Sequence, residues 1–64
     1  MTKKEIAEEI LQNSTAKGVS ENRFYKNVNK QSKEWLERSY NMVMASTTEE
    51  EKKRNADFVM QWLR

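Results

Sequence analysis

"ENRFYKNVNKQSKEWLERSYNMVMA", Glu21 to Ala45, is the stretch whose reading decides the architecture of this chain. At about 100° per residue, Phe24, Tyr25, Val28, Ser32, Trp35, Leu36, Ser39 and Val43 fall within an arc of about 120°. A stripe that narrow belongs to an amphipathic helix with one dry side, so the whole stretch reads as one long helix. Its weak point is "NVNKQSK". Asn27 and Asn29 flank the β-branched Val28, all three are poor helix formers, and Ser32 can cap a fresh start. A continuous helix and a helix broken near Asn29 are both compatible with the pattern.

Outward from this stretch the chain is again helical on both sides. Thr2 followed by Glu5 makes a capping box, with Met1 placed to staple onto Ile6. Ile6, Ala7, Ile10 and Leu11 then share one face. The single Gly, Gly18, sits where a left-handed residue closes a helix, with Lys17 beside the negative end of the dipole, so the first helix is expected to stop there. Ser20 is the next N-cap, with Val19 and Phe24 in staple positions. Downstream, Ser46 with Glu49, or Thr47 with Glu50, forms a second capping box, and Glu49 to Glu51 favour the positive first turn of a last helix running to near Arg64. With no Pro and one Gly, the chain lacks the punctuation that hairpins need. The expectation is an all-α fold: one helical domain over residues 1–64, built as three helices. The first packs on the Phe24, Tyr25, Val28 end of a long central helix, and the last on its Trp35, Leu36, Val43 end.

A chain of 64 residues is near the lower limit for folding alone. Such domains gain no more than roughly 3–5 kcal/mol without disulfides, metals, self-association or very regular helix packing. Cys and His are both absent, which removes disulfides, thiolate sites and the commonest zinc ligand, so no metal or cofactor is expected. The same absence removes the usual nucleophile and general base. The carboxylates Glu8, Glu9, Glu34 and Glu37 fall on surface faces. A non-enzymatic protein is therefore expected. No apolar run approaches the ~18 residues of a membrane span. "MTKKEIAEEI" has no apolar core of the secretory kind, which points to a soluble, cytoplasmic protein.

Twelve Lys and Arg against ten Asp and Glu leave a formal net charge of +2, too small to argue for a polyanion, so the distribution must decide. Arg23, Lys26, Lys30 and Lys33 are spaced three, four and three, which lines one side of the central helix opposite its apolar arc. Asn22, Asn27, Asn29 and Gln31 surround them, and such side chains bind phosphates or base edges. Asn22, Arg23, Lys26, Asn27, Lys30 and Lys33 are thus candidate nucleic-acid contacts, while the bland reading makes them the hydrated side of a helix. "AKGVSENRFYKNV" also resembles the small-residue, Gly, Val, Ser turn of helix-turn-helix repressors, over that stretch alone. The resemblance implies a DNA-binding turn. Ile6 and Ala7 lie too far ahead of Gly18 for the register of that family.

The last helix carries more apolar surface than one neighbour can cover. Ala56, Val59, Met60 and Leu63 make one side, while Phe58 and Trp62 extend the arc to about 200°. Tyr40, Met42 and Met44 flank the main stripe of the central helix in the same way. Aromatics and Met are enriched in interface cores, because each buries much area and Met adapts to shape. Phe58 and Trp62 are therefore the expected anchors of a protein-binding surface, with Tyr40 and Met44 beside them, and homodimerisation through the same surface is one form of it. The function expected from this is a stoichiometric regulator or inhibitor of a larger protein. The alternative is a small DNA-binding regulator using the basic face.

Overall fold

In the computed structural model, which describes residues 1–64, the chain forms four helices rather than three. They are α1 (Lys3–Asn13), α2 (Glu21–Lys30), α3 (Lys33–Met44) and α4 (Glu49–Met60), with no strand. No helix is long and apolar enough to cross a membrane.

The expected long central helix is broken at Gln31 and Ser32, slightly beyond Asn29. Both residues take extended backbone, and the Ser32 hydroxyl accepts the Trp35 N–H at 3.0 Å. That hydroxyl satisfies one of the orphan donors of a new helix, and the Asn27, Val28, Asn29 run adds little propensity to oppose the break. A straight helix from Glu21 to Ala45 would be about 37 Å long, whereas the longest extent of the molecule is 30 Å. Folding the stripe in two lets both halves share one core.

That core is organised by α1. The short first helix packs against α2, α3 and α4, while α2 rests on α1 alone among the helices. The expected arrangement, in which two short helices flank a long central one, is therefore replaced by a hub with three partners. Ile6, Ala7 and Ile10 of α1 are almost completely buried, and they join Phe24 and Val28 of α2, Leu36 and Val43 of α3, and Ala56, Val59, Met60 and Leu63. Each large apolar side chain in that cluster contributes about 1.5–3 kcal/mol by leaving water. Small Ala7, 0% exposed, leaves room for the neighbouring helices to approach.

The helix ends show where local chemistry wins. The Thr2–Glu5 capping box is present in both halves, with the Thr2 N–H donating to Glu5 Oε1 at 2.9 Å and the Glu5 N–H to Thr2 Oγ1 at 3.2 Å. The first helix stops at Asn13, earlier than the Gly18 expectation, because polar side chains take over its last carbonyls. Asn13 Nδ2 donates to the Glu9 carbonyl at 2.8 Å, and the Ser14 hydroxyl to that of Leu11 at 2.7 Å. Gly18 does adopt the left-handed conformation, φ +65°, but inside the α1–α2 connection. Ser20 is the N-cap of α2 by its backbone and makes no side-chain cap bond.

At the start of α4 the cap is Thr48, whose hydroxyl accepts the Glu51 N–H at 3.1 Å, and not Ser46 or Thr47. Ser46 is already engaged, donating to the Met42 carbonyl and accepting from Asn55 Nδ2. Beyond Met60 the chain tightens into i to i+3 bonds, Trp62 to Val59 and Leu63 to Met60, both 3.1 Å. This last turn carries Leu63 into the core, 0% exposed.

Candidate protein-binding groove

Trp35, Arg38, Ser39 and Met42 recur at helical spacing and so share one side of α3. Phe58 and Val59 of α4, and Trp62 of the final turn, face them across an open groove of about 400 Å³. Val59 and Ser39 are buried at its base. The rings stack edge to face in a chain: Phe58 to Trp62 with centroids 5.0 Å apart, and Trp62 to Trp35 at 6.3 Å. Such pairs are worth about 0.5–1.5 kcal/mol beyond the area they bury, which keeps the rings ordered while leaving their outer faces wet. Phe58 remains 53% exposed, Trp62 46% and Met42 39%.

The cause is the helix period. Ala56, Met60 and Leu63 point into the core and are at most 1% exposed. Phe58 lies about 160° away from both Ala56 and Met60 around the helix axis and cannot follow them. Arg38 is the one charged residue on the groove walls. It bridges to Glu34 at 2.7 Å, with both side chains about three-quarters exposed (78% and 74%). A pair so exposed contributes only about 0–1 kcal/mol.

Of the residues expected at a protein-binding surface, Phe58 and Trp62 are brought together here. Met44 is 37% exposed but lies outside the groove walls. Tyr40 is on another face of α3. It packs against the core and lines a separate hollow with Met1, Ile6, Lys33, Glu37 and Asn41. Trp35, assigned by the stripe to the core, packs against it in part and also forms a groove wall, where Arg38 and Met42 join it. The available signal was the spacing: Trp35, Arg38 and Met42 fall at i, i+3 and i+7 and so share one side of any helix through them.

The basic set is divided by the helix break. Arg23, Lys26 and Lys30 are exposed on α2 beside exposed Asn22, and none of the three is in an ion pair. Lys33 opens α3, so the four cations do not line one helix as expected. Asn27 is engaged structurally, its Nδ2 donating to the Arg64 carbonyl at 2.8 Å.

Two polar contacts hold the loop and the outer helix in place. The Thr15 N–H and hydroxyl donate to Asp57 Oδ1 and Oδ2 at 2.7 and 2.6 Å, which holds that carboxyl below the usual carboxylate range. The Tyr25 hydroxyl donates to Glu8 Oε2 at 2.6 Å, and this bond pushes the phenol up to about 12. Lys4 Nζ sits 5.0 Å from the centre of the same ring. No group of three or more carboxylates is gathered as a metal would require.

Comparison of the chain with known protein families, curated proteins and solved structures finds no significant match. The groove has aromatic walls, a base of Val59 and Ser39, and a single charged residue, Arg38.

Proposed function

We propose that this chain is a non-enzymatic binding protein, a stoichiometric regulator or inhibitor that acts by holding a segment of a larger protein in the α3–α4 groove. The observation that carries the reading is the exposure of Phe58, Trp62 and Met42 together along one apolar groove. Single exposed apolar side chains are ordinary, but a contiguous aromatic patch on so small a molecule is what interfaces use. The mechanism is occlusion: the partner segment is sequestered, with Phe58 and Trp62 as anchors and Trp35 and Met42 as walls.

A second reading rests on Arg23, Lys26 and Lys30, which are exposed on α2 with no acidic partner. In it the protein is a small DNA-binding regulator. The two readings differ in salt dependence. Three phosphate contacts give a slope of log K against log salt of about −2.7, whereas an aromatic protein interface is much flatter. The experiment is an affinity capture from the native host with the wild type and with Phe58→Ala. A protein held by the wild type across a salt gradient and lost by the variant supports the groove. Retention of DNA with the steep slope, insensitive to Phe58→Ala, favours α2 instead.

A further inference from the structure

Helices α1, α3 and α4 each pack on the other two and close a triangle, while α2 meets α1 alone among the helices. Of the eleven buried apolar side chains of the core, α2 supplies only Phe24 and Val28. Those two must hold ten residues in order, and fixing the backbone costs conformational entropy at every one of them. The helix contributes little of its own. Asn22, Asn27, Asn29, Val28 and the two aromatics are middling to poor helix formers, the Ser20 side chain makes no cap bond, and ten residues are too few for a stable isolated helix in water.

Polar tethers at the rim complete the docking. The Tyr25 hydroxyl donates to Glu8 Oε2 at 2.6 Å, Lys4 Nζ lies 5.0 Å from the centre of its ring, and Asn27 Nδ2 donates to the Arg64 carbonyl at 2.8 Å. The first bond is half-buried and the last exposed, so water competes for both. Non-helical backbone stands at either end of α2: left-handed Gly18 before it, extended Gln31 and Ser32 after it. Beyond those ends the chain is held, by the Thr15 clamp on Asp57 on one side and by α3 on the other. We infer that α2 is a flap: residues 18–31 undock and unfold as one unit while α1, α3 and α4 stay packed, uncovering Phe24, Val28 and the part of the α1 face beneath them. The α3–α4 groove contains no residue of α2, so this motion is independent of the docking reading above.

Amide hydrogen exchange of the intact chain, followed by NMR at increasing sub-denaturing urea, reads the opening directly. The amides inside α2 are expected to exchange at least about tenfold faster than the slowest amides of α1 and α3, with one shared and shallower urea slope. Two variants then separate the flap from the whole molecule. Thr48→Ala removes the cap of α4, which the open form keeps, so it should speed the slowest α1 and α3 amides roughly two- to thirtyfold and leave the α2 amides unchanged. Tyr25→Phe removes a tether that is lost in the open form and in the unfolded chain alike, so it should speed the α2 amides and the slowest α1 and α3 amides by a common factor of about two to ten. Exchange of α2 as slow as that of α1 and α3, or α2 amides that move with theirs in Thr48→Ala, overturns the flap, because α2 then opens only when everything does. Separate urea slopes along α2 overturn it too, since the helix then frays instead of opening as a unit.

Discussion

The Asp57 carboxylate receives both hydrogen bonds of Thr15 from a loop forty-two residues away in sequence, the one place where that loop is tied to α4 by a side chain. Its pKa is lowered, the Thr15 hydroxyl being the larger cause. A carboxylate depressed in the folded state adds stability that is present above its unfolded value of about 3.9 and is lost as pH falls through the folded value. Thr15→Val keeps the shape and the N–H but removes the hydroxyl. In carboxyl NMR titrations Asp57 should therefore move back up toward the ordinary range, and an unshifted Asp57 would show that the hydroxyl bond is not made in solution. Tyr25 has the opposite sign. Its pKa is raised to about 12 by the bond to Glu8, so its contribution is complete below about 10 and is lost as pH rises toward the folded value. Of the two tyrosines, one should ionise late in ultraviolet titration, and Tyr25→Phe should remove that late step.

At the scale of the elements, the start of α3 after the break is capped by one hydroxyl. Ser32 caps α3 through Trp35 N–H at 3.0 Å, and Ser32→Ala should cost about 0.5–2 kcal/mol in denaturant melts. Since Trp35 stands in the first turn of α3 and on the groove wall, the same variant should also alter tryptophan emission. No change in either would show the cap to be dispensable. Gly18 tests a different cause. A Cβ there would meet nothing within 4 Å, but φ is +65°. Gly18→Ala should thus destabilise by about 1–2 kcal/mol through backbone strain alone, and Gly18→Asn by less, since Asn tolerates the left-handed region.

For the molecule as a whole, α4 divides its labour between two directions, and two substitutions separate them. Leu63 is 0% exposed although it is the penultimate residue. Leu63→Ala should lower stability by the lower part of the ~2–5 kcal/mol seen for buried large-to-small changes, since the chain end can relax. Phe58→Ala should cost no more than the ~0.5–1.5 kcal/mol of its edge-to-face contact with Trp62, and on the proposed reading it should weaken partner binding by more than ~1 kcal/mol. Thermal melts of both variants, at two protein concentrations and with sedimentation, measure the difference. If Phe58→Ala melts as early as Leu63→Ala and independently of concentration, Phe58 is part of the core and the groove loses its anchor.

What the amino-acid order determined by itself is what depends on near neighbours. The all-helical character, the Thr2–Glu5 box, the left-handed Gly18 and the division of α4 and the turn after it into Ala56, Met60 and Leu63 against Phe58 all follow from spacings of three to four residues or from one backbone preference. The choices that set the architecture were competitions between bonds, some local and some distant, that spacing does not reveal. Asn13 or Gly18 as the end of α1 turned on local carbonyl capture and on the Thr15 clamp to Asp57, and Thr48 displaced Ser46 as cap because Ser46 was already bonded to Met42 and Asn55. Whether Glu21 to Ala45 stayed straight was a contest between a few helical hydrogen bonds at Gln31 and Ser32 and the burial of both halves against α1. Periodicity is blind to that contest, because a bent stripe and a straight one have the same apolar spacing. Only the packing of α1 against all three partners decided it, and with it the placing of Trp35 in the groove and Tyr40 outside it.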